Sequence, residues 1–399
     1  MLKKRFGISL KAELANIVLI SNTLIWYSIA FNVLKTIINE TSTLMWTAHF
    51  MTATFLAIVG SIITDKSSKR TTFLMVWMTF GIVSSLFLIL VDPSNTLDVL
   101  AISFLFGMSF GLGLPASMAY FVDYTIIENR GKLGGLILCI NGLGTVLFWI
   151  MAVNNIILQA LTLAIWRGCG LIIFAIIKPS KELEGKRKSI SFASILNQRS
   201  FILYIIPWIM FSLIAYLSLP VQLKILDIEI VKFFSIIESI AAGAFAIVGG
   251  FLSDTIGRKR ITITGFIMLG LAYALLGVYP GNLLSWYFYT LVDGIAWGIF
   301  YVIFIITIWG DLSHGASSDK YYALGGLPYF VSNFLRLTIG SHIAETVSAY
   351  AIFSFTAFFL FLAVLPLMFA PETLPEKKLR ERELREYIEK AKKIKEKFT

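Results

Sequence analysis

Apolar stretches recur along the whole chain, and short polar segments separate them. Each is about twenty residues long, which is the length that an α-helix needs to cross the hydrocarbon core of a bilayer. The strict alternation of apolar and polar positions that marks a membrane β-barrel is absent. We therefore predict an all-α membrane protein with twelve spans, at residues 13–37, 42–63, 71–91, 97–122, 131–152, 155–177, 201–223, 229–252, 261–279, 284–309, 322–344 and 347–369. The joins between the fifth and sixth and between the eleventh and twelfth spans are the least clearly marked.

One part of this pattern occurs twice. Residues 56–65, LAIVGSIITD, have a counterpart 189 residues later at 245–254, FAIVGGFLSD. Each copy ends an apolar run with an aspartate, Asp65 or Asp254, and basic residues follow both. Two similar halves in one membrane chain are typical of transporters that move one half against the other around a central site.

A long polar interruption at 178–200 divides the spans into six plus six. We predict an N-terminal six-helix bundle at 1–177, a cytoplasmic linker at 178–200 and a C-terminal six-helix bundle at 201–370. The remaining segment, 371–399, contains a capping-box pattern from Thr373 to Glu376, followed by apolar residues at helical spacing. It is predicted to be a cytoplasmic amphipathic tail.

Composition and charge support a membrane protein and indicate its orientation. Hydrophobic residues make up 57% of the chain and charged residues 15%, which excludes an ordinary soluble domain. Nearly all of the 34 lysines and arginines fall in segments on one side of the predicted topology. The positive-inside rule then places both termini in the cytoplasm, in a multi-pass protein of the cell membrane. Nucleic-acid binding is disfavoured because the basic residues are not gathered into one domain.

The sequence contains no catalytic constellation, no metal-ligand spacing and no glycine-rich phosphate loop with Lys-Ser/Thr. We predict that the protein is not an enzyme, binds no metal or cofactor and does not use ATP. The expected partners are the lipid bilayer, a small-molecule substrate and protons, and we expect a monomer.

Ionisable residues inside the predicted spans are candidates for function because charge in a bilayer is costly. Glu238 and Asp293 lie in the eighth and tenth spans and are candidates for proton coupling, since a carboxylate withdrawn from water is easily neutralised. His49 stands at the repeat position of Glu238 and is a third candidate; the alternative is a hydrogen-bonded packing residue. Arg336 is expected at a similar depth, and pairing with one of the acids to steer packing is the alternative to a coupling role.

Asp293, Trp297 and Tyr301 share one face of the tenth span, an arrangement that suits a sugar, an amine or a cationic drug. Arg167 could bind an anionic substrate, or it could snorkel or pair with a neighbour. The full set of candidates for the substrate cavity is Asn22, Trp26, Asn32, Arg167, Tyr216, Gln222, Trp297, Tyr301 and Arg336.

The segment from Gly250 to Arg260, GFLSDTIGRKR, resembles the loop signature of the major facilitator superfamily, G-x-x-x-D-x-x-G-R-[KR]-[KR]. The first-half copy has Ser61 and Ser68 where the signature has glycine. The resemblance implies two six-helix bundles around a central cavity, and a gate in which Asp65 and Asp254 hold the cytoplasmic side shut. The candidate gate residues are Asp65, Lys69, Arg70, Asp123, Arg130, Asp254, Gly257, Arg258 and Lys259.

Physical chemistry supports the same role for the two aspartates. A carboxylate at the C-terminal end of a helix meets an unfavourable dipole unless a helix N-terminus or an arginine lies opposite. Arg130, at the start of the fifth span, is the expected partner, and a simple turn role for both aspartates is the alternative. The sequence as a whole predicts a proton-coupled symporter that moves a small organic solute by alternating access. The alternatives are an exporter of drugs or amphiphiles and a non-transporting membrane sensor.

Overall fold

The computed structural model describes residues 10–38, 42–67, 69–150, 155–179 and 187–374, and within these ranges the regular secondary structure is entirely helical. The α-helices are α1 (Leu10–Ile37), α2 (Thr43–Lys66), α3 (Arg70–Phe87), α4 (Thr96–Gly111), α5 (Leu114–Asp123), α6 (Arg130–Ile150), α7 (Ile156–Ile177), α8 (Phe192–Leu196), α9 (Arg199–Ile225), α10 (Ile228–Thr255), α11 (Arg258–Val278), α12 (Leu283–Phe300), α13 (Ile308–Leu312), α14 (Asp319–Thr346) and α15 (Ala349–Phe369).

The helices coincide with the predicted spans, and the all-α fold is confirmed. Ten of them are long and apolar enough to cross a membrane, with α4–α5 and α12–α13 each counted as one span. The fifth and eleventh predicted spans are α6 and α14. Both weakly marked joins do separate helices, since α6 and α7 are distinct and α14 ends three residues before α15 begins. The domain boundaries remain a prediction, and the predicted tail helix lies beyond residue 374, outside the described ranges.

Small residues let neighbouring helices approach closely in the same way in both halves. A Cβ atom on Gly107 of α4 would lie 2.3 Å from the carbonyl oxygen of His49 on α2. A Cβ atom on Gly294 of α12 would lie 2.8 Å from the carbonyl oxygen of Glu238 on α10. Because neither distance leaves room for a side chain, these positions favour glycine. The internal repeat in the sequence is therefore also a repeat in packing.

The two halves meet along two seams. Along the first, α6 packs on α10 by backbone contact, and a Cβ on Gly135 would lie only 2.3 Å from the carbonyl oxygen of Ala246. Along the second, α2 packs on α14, with the rings of Phe50 and Phe334 6.4 Å apart. At one end of this second seam the Thr64 hydroxyl donates to Asp319 at 2.7 Å. That end belongs to the predicted cytoplasmic face, where α2, α5, α10 and α13 end.

The fourth and tenth spans are irregular at equivalent places. The fourth span breaks between Gly111 and Leu114, where α5 restarts with a proline in its first turn. The tenth contains a π-helical segment, Tyr301–Thr307, between α12 and α13. Position 112 plus the repeat offset of 189 is position 301, so the two irregularities correspond. Interrupted helices in matching positions of two halves are a structural pointer to a transporter's binding site.

Two side chains donate hydrogen bonds to backbone carbonyls of the π segment. The indole nitrogen of Trp309 donates to the Phe304 carbonyl at 2.5 Å, and the Tyr322 hydroxyl donates to the Ile306 carbonyl. A carbonyl left without a partner in a membrane interior is costly, so these two bonds stabilise the π geometry.

Candidate functional site

A cavity of about 150 Å³ lies between the two halves. It is bounded by α1, by the broken fourth span, by α6, α9 and α14, and by the π segment of the tenth span. Aromatic side chains dominate the lining, and none of the lining residues that the structure describes is Asp, Glu, Lys, Arg or His. The lining is formed by Leu24, Tyr27, Ser28, Phe110, Leu114, Met118, Leu138, Asn141, Trp208, Tyr301, Phe304, Ile305, Trp309, Tyr322, Gly325, Gly326, Tyr329 and Phe330.

Of the predicted cavity residues, only Tyr301 lines this cavity. In α1 the predicted polar residues lie on the opposite face. The Asn22 amide nitrogen donates to the carbonyl of Trp166 at 2.7 Å, and the Trp26 indole donates to the Ser85 hydroxyl at 2.9 Å. Trp26 is two residues from Leu24 and Ser28, which is about 200° around an α-helix. The polarity of these residues alone did not show which face of α1 meets the cavity.

The remaining predicted cavity residues lie around the cavity and not on its wall. Asn32 is exposed near the end of α1. Trp297 stands behind Tyr301, with ring centroids 4.9 Å apart, and Tyr216 packs on Trp297 at 5.7 Å. The Arg336 guanidinium lies 5.2 Å above the Tyr216 ring.

Arg336 does not pair with Glu238 or with Asp293, contrary to that alternative. Its Nη2 atom donates to the side-chain oxygen of Asn333 at 3.0 Å. The reason is geometric, because the ring of Tyr216 and the Asn333 amide hold the guanidinium on the α9 side of α14. Among the described residues no carboxylate forms an ion pair with Arg336.

Glu238 and Asp293, which were predicted at a similar depth, lie close to each other. Their carboxyl groups interact with each other across the α10–α12 contact, and Asp293 also interacts with the Tyr289 hydroxyl and the Trp297 indole. From Tyr289 a hydrogen-bond network continues into α9 and α11: its hydroxyl lies 3.0 Å from Gln222 Nε2 and 3.0 Å from the Tyr273 hydroxyl. Gln222 thus joins the acid pair and does not reach the cavity.

His49 uses both ring nitrogens in packing. Its Nδ1 atom lies 3.1 Å from the Ser103 carbonyl, which can only accept, so Nδ1 carries the hydrogen. Its Nε2 atom therefore accepts from the Tyr27 hydroxyl at 3.1 Å. Because Tyr27 lines the cavity, its side chain separates His49 from the cavity. Protonation of Nε2 would reverse the direction of this bond, because Nε2 would then donate to the Tyr27 hydroxyl oxygen.

On the predicted cytoplasmic face, Asp254 receives hydrogen bonds from the other half of the molecule. The backbone nitrogens of Gly131 and Lys132, at the N-terminus of α6, donate to its two oxygens at 2.9 and 2.8 Å. Arg258 Nη1 donates to the same carboxylate at 2.8 Å. A helix N-terminus thus faces Asp254, as the dipole argument required, and the positive end of that dipole stabilises the carboxylate.

Arg130 has a different partner from the one expected. It pairs with Asp311, at the end of the tenth span, at 2.8 Å, and not with Asp65 or Asp254. Arg258 also pairs with Asp311 and donates to the Ile127 carbonyl at 2.7 Å. Asp311 therefore joins an arginine of each half.

The first-half copy of the signature forms an equivalent cluster with one change. Asp65 accepts from Lys320 of α14 at 2.6 Å. Arg70 pairs with Asp123 and with Asp319. Lys69, which aligns with Arg258, is exposed. Arg70 therefore takes in this half the bridging role that Arg258 has in the other.

Sequence reasoning missed Asp311, Asp319 and Lys320, although the repeat contained the signal. Arg130 shifted by 189 residues is Asp319, and Asp311 is one residue from the shifted position of Asp123. Arg130 and Asp319 thus carry opposite charges at equivalent positions, and each pairs with a residue of the other half.

Two further segments close over this face. Glu372 caps the start of α11 by accepting from the backbone nitrogens of Arg258 and Lys259 at 2.9 and 3.1 Å. Gly257 precedes them with φ of 121°, and a Cβ there would lie 2.5 Å from a Glu372 oxygen. Arg187 of the linker pairs with Asp123. Burial lowers the pKa of Arg187 to about 10, with a further contribution from Arg70, so it remains charged at neutral pH.

Comparison with known proteins identifies the family. The Major Facilitator Superfamily model matches residues 189–397, just over half of the chain. The fold is similar to that of the E. coli fucose:proton symporter, with TM-score 0.71, 11% identity, and 92% of this chain and 99% of that chain covered. It is also similar to that of the human organic anion transporter TETRAN, with TM-score 0.69 and 12% identity. That comparison covers 90% of this chain and 99% of the transporter. A proton:xylose symporter has a similar fold as well, with TM-score 0.64 and 15% identity. Here 92% of this chain and 96% of the symporter are covered.

No curated protein sequence matches the chain. At these identities the solved structures establish the shared fold only. The family model, the repeated signature and the pair of bundles agree, and the chain belongs to the major facilitator superfamily of membrane transporters.

Proposed function

We propose that this protein is a secondary active carrier of a small uncharged organic solute, working by alternating access and coupled to protons. It acts in the cell membrane with both termini in the cytoplasm. The transport is driven by an ion gradient and involves no catalysis.

The observation that carries this proposal is the cavity between the halves, closed at one end by ion pairs that bridge the halves. Lys320–Asp65, Arg70–Asp319 and Arg130–Asp311 each join one half to the other. Such contacts exist only while that end is closed, so they favour one of two states. A carrier that exposes the cavity to each side in turn must break and remake them.

The cavity favours an uncharged substrate. Its polar groups are the hydroxyls of Ser28 and tyrosines and the amide of Asn141, between flat aromatic walls. Hydroxyl groups on aromatic walls suit a polyhydroxyl or aromatic solute. An engineered cavity of about 150 Å³ in another protein holds benzene, so the volume here fits a single ring. Pockets that bind drug-sized ligands measure about 300–1,000 Å³. The smaller cavity here favours a small solute over a drug as the substrate.

The acid pair supports proton coupling. Asp293 interacts with Trp297, and Trp297 packs against Tyr301 on the cavity wall. A change in the protonation of the pair can therefore reach the substrate through two contacts. The names of two structures that share this fold state proton symport with fucose and xylose, which agrees with the proposed class of solute.

A ligand screen on the purified protein tests the substrate class. The melting temperature should rise most with neutral sugars, polyols and small aromatic alcohols. It should rise less with amines and organic acids. Tyr301→Phe removes one cavity hydroxyl and should weaken binding of the best neutral ligand about fivefold, the equivalent of about 1 kcal/mol. Tyr279→Phe, at an exposed tyrosine outside the cavity, is the control. Stabilisation by charged compounds alone would contradict an uncharged substrate.

A further inference from the structure

A short stretch of the linker, residues 187–190, lies across the predicted cytoplasmic end of the α2–α14 seam, and we call it the strap. Two of its side chains contact the N-terminal half. Arg187 pairs with Asp123 at the end of α5. The Ser189 hydroxyl donates to Asp65, near the end of α2, at 2.5 Å. The strap therefore reaches two aspartates of the N-terminal half that were predicted to belong to the gate.

The strap contacts the C-terminal half through its backbone. The Lys188 carbonyl accepts from the backbone nitrogen of Ser317 at 3.2 Å. The Ile190 carbonyl accepts from Lys320 Nζ at 2.8 Å. Directly after the strap, the short helix α8 packs against α9 of the C-terminal half. The strap is therefore anchored on the C-terminal half.

The strap also helps to bury an ion pair that joins the two halves. Lys320 Nζ lies 2.6 Å from the Asp65 carboxylate and 3.2 Å from the Ser189 hydroxyl, so the three side chains meet at one point. The side chains of Asp65 and Lys320 are only 0% and 10% exposed. Ion pairs that are open to water contribute little, because water screens them. A strap that limits the access of water should therefore strengthen this pair.

The segment over the other cytoplasmic cluster is attached differently. Glu372 accepts from the backbone of Arg258 and Lys259, and the Thr373 hydroxyl donates to Asp311 at 3.2 Å. All three partners belong to the C-terminal half, so these contacts can persist when the halves separate. The strap contacts both halves and must lose its contacts with one of them.

We propose that the strap is a latch, which moves with the C-terminal half and releases the N-terminal half each time the cytoplasmic side opens. This inference rests on the alternating access of the proposed function. The backbone bonds of Lys188 and Ile190 lie within one moving body and should persist in both states. The contacts of Arg187 and Ser189 exist only in the closed state, so they add to its stability.

Substitutions within the strap separate these two sets of contacts. Arg187→Gln combined with Ser189→Ala removes both side-chain contacts with the N-terminal half. The ratio of open to closed molecules should then rise about tenfold, because a charged pair and a hydrogen bond to a carboxylate are lost. Lys188→Gln is the matched control, since it removes a positive charge from the same stretch. Its side chain is exposed, and its bond to Ser317 uses the backbone.

Distance measurement between spin labels at Lys66→Cys and Arg260→Cys, in a background of Cys139→Ser and Cys169→Ser, gives the ratio of the two states. We expect a shift to longer distances in the double variant and none in Lys188→Gln.

Three results would overturn the latch. If the double variant keeps the parent distribution while Asp254→Asn shifts it, the strap does not hold the gate, and alternating access stands. If Lys188→Gln shifts the distribution as far as the double variant does, the charge of the linker and not these contacts sets the ratio. A single unchanged distance in every variant, Asp254→Asn included, would contradict alternating access and the latch with it.

Discussion

Two carboxylates that interact electrostatically, as those of Glu238 and Asp293 do, repel each other unless one of them carries a proton or a cation lies between them. Arg336, the basic residue expected beside them, is engaged with Tyr216 and Asn333. A shared proton is therefore the simplest way to stabilise the pair in the closed bundle. Release of that proton would restore the repulsion between α10 and α12.

Neutralising either acid should separate coupling from binding. In proteoliposomes, Glu238→Gln or Asp293→Asn should abolish uphill, pH-driven uptake and preserve exchange of substrate. Exchange needs only interconversion of the loaded carrier, whereas coupled uptake also needs protonation and release. Glu229→Gln is the control, because Glu229 lies on the same helix but is exposed and paired with Lys232. Full pH-driven accumulation in both variants would place the coupling elsewhere.

The carboxylate of Asp254 connects the halves through the backbone of α6, so its charge should set the balance between states. Asp254→Asn weakens two charge-assisted hydrogen bonds that exist only while this face is closed. We expect the closed state to lose about 2 kcal/mol, or roughly 30-fold in population ratio.

Spin labels at Lys66→Cys and Arg260→Cys, in a background of Cys139→Ser and Cys169→Ser, report this balance by distance measurement. The distribution should shift to longer distances in Asp254→Asn. It should not shift in Asp92→Asn, because the Asp92 carboxylate lies on the opposite face and accepts from the backbone nitrogen and the hydroxyl of Ser94 within its own loop. Identical distance distributions for Asp254→Asn and the parent protein would mean that Asp254 acts only as a turn residue.

At the scale of the element, the π segment depends on side chains outside its own helix. Tyr322→Phe leaves the buried carbonyl of Ile306 without the hydroxyl that satisfies it. The free energy of unfolding should fall by about 1–3 kcal/mol, the usual penalty for such a group. Thermal unfolding without substrate measures this loss, and Tyr279→Phe, at an exposed position, should leave the melting temperature unchanged. A melting temperature for Tyr322→Phe equal to that of the wild type would mean that the bond does not stabilise the segment.

The elements themselves could be predicted almost completely, because hydrophobic length depends only on the local sequence. Which face of each helix meets the cavity could not, because it depends on register between helices. Asn22 and Trp26 are polar and central in α1, yet they face α7 and α3, while Tyr27 and Ser28 face the cavity. The sequence motifs identified charged residues such as Asp254 and Arg258 on the predicted cytoplasmic face, but not the partner of Arg130. Asp311 and Lys320 were missed because each pairs with a residue of the other half of the chain, Arg130 or Asp65.

At the scale of the whole molecule, the positive-inside pattern predicts which face is cytoplasmic. Cysteines introduced at Gly185 and Arg385 should stay unmodified when intact cells are treated with an impermeant thiol reagent. A cysteine at Ser94, exposed in the loop between α3 and α4, should react and serves as the positive control. Labelling at 185 or 385 as strong as at 94 would reverse the topology.

The α6–α10 seam contains close backbone contacts at two glycines of α6. Gly131 lies against the Gly250 carbonyl oxygen, and Gly135 against that of Ala246. Glycine has no rotamers, so movement at these two contacts requires no side-chain rearrangement and no change in side-chain entropy there. The barrier to rocking at this seam should then depend mainly on the charged groups at its cytoplasmic end. The speed of the carrier could therefore be tuned by salt and by surface charge while its core packing stays the same.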